Sequence, residues 1–356
     1  MHLSAIGTAT PPARYTKAQC LAAFEASDWF ARLDGRAHQV ARLVLQRDNG
    51  IEARRLAIDS LDEVFAIDPD TLAQRFTTHA PALASEAAGR ALAEAGMSPG
   101  DIDALIVSTC TGYLCPGLSG HVVERLELRD DVQCFDLVGQ GCAAALPNLQ
   151  LGAALTGSVE APGSCERVLS VCVEVCSAAM YLDNDPGVLI SACLFGDGAG
   201  AAVLTREPPP SGSRIRWRDS ASIIEPGRRE ALRFEQRAGL LRNILTRAVP
   251  ALAGDYARRT LDTVLTRTGL GANDIGTWIM HAGGRDVLQR LERALGVGPE
   301  DLRHSSAMLA EYGNLSSAFV YFVLEAQLAD RPRPGHWWLS SFGAGFSCHG
   351  ALLEVT

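Results

Sequence analysis

Ala95-Gly96-Met97-Ser98-Pro99-Gly100-Asp101-Ile102, with the apolar run Ala104-Leu105-Ile106-Val107 after it, is answered further along the chain by Thr268-Gly269-Leu270-Gly271-Ala272-Asn273-Asp274-Ile275 and then Ile279. The Gly, the Asp and both Ile recur at one displacement, 173 residues. A second block behaves the same way. Gly141-Cys142, followed by three alanines, returns as Gly313-Asn314-Leu315-Ser316-Ser317-Ala318 at a displacement of 172. Each dipeptide precedes an apolar helical pattern: Ala145, Leu146, Leu149 and Ala153 in one case, Ala318, Phe322 and Leu324 or Glu325 in the other. Two blocks at nearly one offset read as a duplicated α/β half.

Around these blocks, helical and strand patterns alternate. Residues 80–95 place Leu83, Ala87, Ala91 and Leu92 on one helical face, and Gly96 supplies the stop. Short apolar runs at Ala104–Val107, Val168–Val173, Ala199–Leu204, Trp278–Met280 and Trp337–Leu339 read as strands of a sheet covered on both faces. One composition break stands out, Glu207-Pro208-Pro209-Pro210-Ser211-Gly212-Ser213. Three prolines continue neither helix nor strand, so a loop is expected there, dividing residues 1–206 from 214–356.

Composition closes several doors. The chain has 356 residues, 47% of them hydrophobic, and a net charge of −9. Of 32 basic residues only Lys17 is a lysine, which excludes a P-loop lysine and leaves a Schiff base no other candidate. An acidic chain with dispersed arginines is a poor polyanion binder, so no nucleic-acid partner is expected. Met1–Gly7 has neither the basic nor the apolar region of a secretory leader, and no apolar run reaches the length of a spanning helix. The expectation is a cytoplasmic protein without integral membrane association, its ten cysteines being thiols.

If the halves are related by a pseudo-twofold, Cys142 and Asn314 occupy equivalent helix N-termini. Unpaired N–H groups and partial positive charge at such an end favour thiolate over thiol, so a lowered Cys142 pKa is expected. Gly139, Gln140 and Gly141 keep bulk away from the sulfur, while Pro147 implies either a kink or a later helix start. His281 ends the strand Thr277–Met280 and precedes Ala282-Gly283-Gly284, a position that faces a cleft. Cys142, His281 and Asn314 thus supply a nucleophile, a base and a neutral donor. That trio fits a Cys-His-Asn hydrolase of the papain kind, although the local signature around a papain-like cysteine is absent. It also fits acyl transfer with Claisen condensation, in which His and Asn hold the oxyanion of a decarboxylating thioester. The duplicated architecture favours the second. Cys172 and Cys176 share a strand face with Glu174 but lack further ligands, and no metal site is expected.

Taken together, Gly139-Gln140-Gly141-Cys142-Ala143, Leu194-Phe195-Gly196-Asp197-Gly198, Met280-His281-Ala282-Gly283-Gly284, Glu311-Tyr312-Gly313-Asn314-Leu315-Ser316-Ser317 and Phe342-Gly343-Ala344-Gly345 resemble the chalcone and stilbene synthase family, the type III polyketide synthases, in the bacterial style. The motifs fall in the family's order and span nearly the whole chain. The resemblance implies a thiolase-type duplicated αβαβα five-layer fold and a homodimer. It also implies CoA thioesters as substrates, an acyl-CoA starter and malonyl-CoA, with no other cofactor. Carried over by position, Cys142 bears the acyl group, and His281 sustains the thiolate and with Asn314 drives malonyl decarboxylation. Phe195 matches a gatekeeper phenylalanine, and Phe234 is a second candidate on a looser match. Arg54 and Arg55 stand where the family places basic CoA-binding residues, and Gly283 and Gly284 match a loop lying against CoA.

Departures from the family bear on the product. Cys110 replaces a threonine in a hydrogen-bond network linked to cyclisation, whose other members Glu174 and Ser316 are present. Cys115 stands in place of a methionine that crosses the dimer interface, and Ala179 in place of a threonine. Smaller side chains there predict a roomier cavity, and hence a fatty-acyl starter with alkylresorcinol or alkylpyrone products. A ketoacyl synthase III-like enzyme, condensing once with an acyl carrier protein, is the nearest alternative.

Overall fold

The computed structural model describes residues 1–157, 163–210, 212, 214–330 and 332–356; Ser211 and Ser213 of the expected connecting loop lie outside the described residues. Among the described residues thirteen strands form: β1 (His2–Ala9), β2 (Arg14–Thr16), β3 (Ala53–Arg55), β4 (Ala104–Ser108), β5 (Gln133–Leu137), β6 (Arg167–Glu174), β7 (Gly198–Thr205), β8 (Ile215–Ile224), β9 (Leu232–Arg237), β10 (Leu240–Leu245), β11 (Ile275–Met280), β12 (Gly335–Gly343) and β13 (Ser347–Val355). Nine of them make one sheet in the order β11-β12-β13-β8-β1-β7-β6-β4-β5, while β9 with β10 and β2 with β3 form separate hairpin-like pairs.

The long sheet is two sheets joined at a narrow seam. Only His2 with Arg216 and Leu3 with Ile215 pair between β1 and β8. On one side of that seam, β4 and β6 pair parallel, β6 and β7 antiparallel, and β7 and β1 antiparallel. On the other side β11 and β12 pair parallel, β12 and β13 antiparallel, and β13 and β8 antiparallel. The order and the directions repeat. The repeated Gly–Asp–Ile blocks sit at matching places: Gly96 and Gly269 are left-handed C-caps with φ of 63° and 73°, each followed by a short 3-10 turn and then β4 or β11.

Helices complete five layers. Pro69–Ala95 packs on β1, β6 and β7, and Val249–Thr268 packs on β13 and β8. Between the sheets lie Ala145–Gly157 and Phe319–Ala329, each touching strands of both halves. Their sequences dictate this burial. Phe319, Val320, Tyr321, Phe322, Val323 and Leu324 are all buried, and a helix apolar on every side belongs inside. The outer helix starts at Pro69, earlier than the apolar face from residue 80 suggests. Asp68 caps it by accepting from the Thr71 N–H at 2.9 Å, and Pro81 is accommodated within it. Pro147 falls in the first turn of Ala145–Gly157, where no N–H is needed, so of the two alternatives the later helix start, after the 3-10 turn Gly141–Ala143, is the one observed. No helix among the described residues is long and apolar enough to cross a membrane.

Candidate active site

The two central helices begin at one place. Cys142 lies on the 3-10 turn Gly141–Ala143 that leads into Ala145–Gly157, and Gly141 there takes a φ of 56°. Strand β12 seats against this turn. Ser341 Oγ donates to the Ala143 carbonyl at 3.0 Å, and a Cβ on Gly343 would stand 2.6 Å from the Ala143 nitrogen, so only glycine fits. Asn314 is pinned by its backbone, which donates to the Leu194 carbonyl at 2.9 Å and accepts from the Gly196 N–H at 3.0 Å. Its Oδ1 accepts from the Ser316 N–H at 2.9 Å, which leaves the Nδ2 donors for a ligand.

Ser316 connects the parts. It holds a left-handed φ of 51°, a conformation costing a non-glycine residue roughly 1–2 kcal/mol. Its hydroxyl lies 3.2 Å from the Cys142 sulfur, 3.2 Å from Glu174 Oε1 and 3.3 Å from the Cys110 sulfur. Glu174, fully buried, also accepts from the Cys110 N–H and the Thr111 hydroxyl, each at 3.0 Å, and from the Ser317 hydroxyl. The network suggested by Cys110, Glu174 and Ser316 is therefore assembled. Thr111 and Ser317 belong to it too, and nothing in their local sequence marks them apart from neighbouring hydroxyls.

His281 ends β11, its N–H bonded to the Ser340 carbonyl at 2.9 Å. Its ring stands edge-on to Phe319 and Phe342, with centroids 5.4 and 5.0 Å away, and neither ring nitrogen has a hydrogen-bond partner. Burial holds this imidazole down at about 3, so it is neutral at ordinary pH. The expectation of a lowered Cys142 pKa is not met. Burial pushes that thiol up to about 12; the Ser316 hydroxyl opposes the rise and the Glu174 charge adds to it. Desolvation is the largest influence on both groups, so Cys142 rests as the thiol and His281 as the neutral imidazole. Glu174 is also raised by burial, against the pull of the Ser317 and Cys110 donors.

Two cavities meet at Cys110, Thr111 and Phe234. The outer one, about 540 Å³, reaches Gly141 beside Cys142 and runs past Phe76, Tyr113 and Leu241. The inner one is lined by Phe195, Ala179, Asn243 and Ser316 among others, and holds only about 30 Å³. Phe195, Phe234, Met180 and Tyr181 line it together with Ala179. Behind it, a second apolar pocket of about 40 Å³ among Phe24, Leu61, Phe65 and Cys193 shares Leu56, Met180 and Ala192 with the first. Cys115 is exposed and lines neither cavity of this chain.

Arg54 needs a correction. Arg54 is 7% exposed and gives its guanidinium to the Ala192 and Phe195 carbonyls at 2.9 and 3.1 Å, so it braces Phe195 and presents no face to a phosphate. Arg55 is held by the Pro12 carbonyl and Glu311. Gly283 does lie at the site, where a Cβ would stand 3.3 Å from the Phe342 ring. Gly284 follows it and precedes the helix Arg285–Leu295. Cations gather there on the loop 47–50 instead. Arg285 pairs with Asp48 at 2.9 Å, and Lys17 Nζ donates to the Arg47 carbonyl at 2.9 Å.

Comparison with known proteins agrees with this geometry. Residues 18–218 match the family described as FAE1/Type III polyketide synthase-like protein, and residues 222–353 match the chalcone and stilbene synthases, C-terminal domain. A 3,5-dihydroxyphenylacetyl-CoA synthase of Streptomyces toyocaensis is 30% identical over 98% of this chain and 88% of its own length. A 1,3,6,8-tetrahydroxynaphthalene synthase of Streptomyces peucetius subsp. caesius is 31% identical over 99% of this chain and 92% of its own. Among solved structures, the C-terminal type III polyketide synthase domain of a type I/III hybrid from Dictyostelium superposes with a TM-score of 0.87 at 26% identity, covering 99% of this chain and 98% of that one. The fold is that of the thiolase-type condensing enzymes. This chain belongs to the type III polyketide synthases and is an acyltransferase of the decarboxylative condensing kind.

Proposed function

We propose that Cys142, His281 and Asn314 carry the condensation in this chain, at the junction of halves 1–206 and 214–356. The supporting observation is a buried cysteine joined through Ser316 to the segment that carries Asn314, together with donors that have no partner of their own, the His281 ring nitrogens and the Asn314 Nδ2. Each ion of the Cys142–His281 pair is disfavoured alone, but two ions formed together offset each other's burial. The thiolate therefore arises by proton transfer to His281, not by loss to solvent. It attacks the starter thioester carbonyl; the new C–S bond forms, the CoA sulfur leaves and takes the proton from His281. Malonyl-CoA then loses CO2, and the enolate oxygen is held by His281 and Asn314 N–H groups. The enolate carbon attacks the acyl carbonyl, and the Cys142 thiolate is released for reloading.

CoA thioesters fit a grip built from arginines and backbone amides around Gly284, Arg285 and the loop 47–50, in place of Arg54 and Arg55. The starter we favour is small or malonyl-derived, since the inner cavity is tight and lined by hydroxyl, thiol and amide groups. A fatty-acyl starter is the second reading, because the apolar pocket beyond Leu56, Met180 and Ala192 would take a chain if those three side chains parted. A homodimer suits the open edge strand β5 and the exposed apolar side chains Tyr113 (79%) and Val138 (64%), and a cytoplasmic location is the reading we keep for it.

Mass spectrometry of products from malonyl-CoA with a panel of starter CoAs tests the reading. Short starters are expected to give the major products, and exclusive use of long acyl chains would reverse the choice. Cys142→Ala abolishes acyl loading. Asn314→Ala slows CO2 release from malonyl-CoA by 10²–10³, as loss of an oxyanion donor does, and leaves loading largely intact. Equal loss of both steps would refute the division of roles.

A further inference from the structure

The hairpin β9–β10 carries a polar group that no step above uses. Asn243, directly opposite Phe234 in the hairpin register, is 7% exposed, and its Oδ1 has no hydrogen-bond partner. It lines the inner cavity together with Phe195, Phe234 and Ser316. An unpaired buried amide is costly, and one that faces a cavity is completed by what enters it. Its place is firmly set. The preceding residue, Arg242, pairs with Asp183 at 2.9 Å, Glu235 at 3.0 Å and Asp185 at 3.2 Å. Asp185 in turn caps the helix Pro186–Leu194, whose C-cap is Phe195. Hairpin, helix and Phe195 are thus tied into one wall of the cavity.

We infer that Asn243 is a specificity-determining contact, its amide holding an oxygen of the poly-β-keto chain that grows from Cys142. Such a chain carries a carbonyl on every second carbon, and its enol form adds an O–H. An amide serves both, with Nδ2–H donating to a keto oxygen and Oδ1 accepting from an enol. A saturated acyl chain offers neither partner and would leave the amide unpaired. The contact also suppresses early release. In that side reaction the enol oxygen on the fifth carbon attacks the thioester carbonyl; a C–O bond forms, the C–S bond breaks, and the proton passes from oxygen to sulfur, freeing a six-membered lactone. An enol oxygen engaged by Asn243 is withheld from that attack, and the chain survives to be extended. This inference rests on the proposed acylation of Cys142.

Asn243→Leu, nearly isosteric but without the amide, is the direct test, with malonyl-CoA as extender and products separated by mass. The ratio of longer cyclised products to triketide lactone is expected to fall about tenfold, which is about 1.4 kcal/mol of discrimination. Asn243→Ser, which keeps a donor and an acceptor, is expected to recover part of that ratio. Thermal melts identify a variant that fails to fold; if Leu fails, Asn243→Ala is read in the same way. An unchanged ratio in a folded Leu or Ala variant overturns the inference. Acyl occupancy of Cys142 in the unmodified enzyme, read by intact-protein mass, separately tests the reading on which it rests.

Discussion

At the scale of single residues, the site is a set of groups kept from satisfying one another. His281 has aromatic rings for neighbours and no hydrogen-bond partner, so under the proposed mechanism its nitrogens are free to take a thiol proton and then hold an oxyanion. With burial raising Cys142 and lowering His281, the reactive thiolate depends on the pair. His281→Ala should therefore cut the rate of Cys142 alkylation by iodoacetamide at pH 7 at least tenfold and move its pH profile upward. An unaltered profile would mean that the helix end alone sustains the thiolate. Cys142, His281 and Asn314 stand out in the sequence because each lies at the edge of a repeated or motif-bearing segment. The Arg54 reading failed for a physical reason. A basic residue gives no sign in sequence of whether its charge meets solvent or carbonyls, and here two carbonyls from another segment capture it.

Elements show the same division. Strands with continuous apolar runs were readable, whereas the hairpin β9–β10 was not, because its two-residue turn lacks the usual signal. Ala238 and Gly239 both take positive φ, 51° and 79°, the pattern of a type I′ turn that normally carries Asn-Gly or Asp-Gly. An alanine there is strained. Ala238→Asn or Ala238→Gly is expected to stabilise the fold by about 0.5–1 kcal/mol, read as a higher denaturation midpoint at constant slope. A lower midpoint would show that the turn is held by other contacts. The cavity wall depends on this hairpin, and Phe234 reaches the site opposite Asn243, a neighbour that only the strand register reveals.

Across the whole molecule, one sheet system of repeated order encloses two central helices, and the duplication was visible from the two displaced blocks. What stayed hidden is how narrow the seam is and how little room remains inside, since both follow from packing between segments far apart in sequence. Global burial also sets a pH dependence. His281 and His349 are held down at about 3 and about 4, below the ordinary 6.5. As pH falls through 6.5 the unfolded chain takes up protons that the folded one refuses, so stability falls. At pH 5.5 the two together cost on the order of 2–3 kcal/mol relative to pH 7.5. Glu174 and Asp197, raised by burial, act in the opposite direction and recover stability only as pH approaches their own folded values. His349→Gln should lose less melting temperature between pH 7.5 and 5.5 than the unmodified protein; equal losses would remove His349 from the account.

The seating of Gly343 against the Cys142 turn sets an order of events during synthesis. The turn leaves the ribosome about 200 residues before the strand that closes on it, roughly 10–40 s at the usual elongation rate. His281 and Asn314 also emerge in that interval, and the central helix Ala145–Gly157 waits with them for β12 and β13. For that time β4, β6 and β7 can cover one side of the helix, while the side that β12 and β13 take is open. The Cys142 turn gains its final cover only when β12 has been made, so under the proposed mechanism the thiol is enclosed late in synthesis.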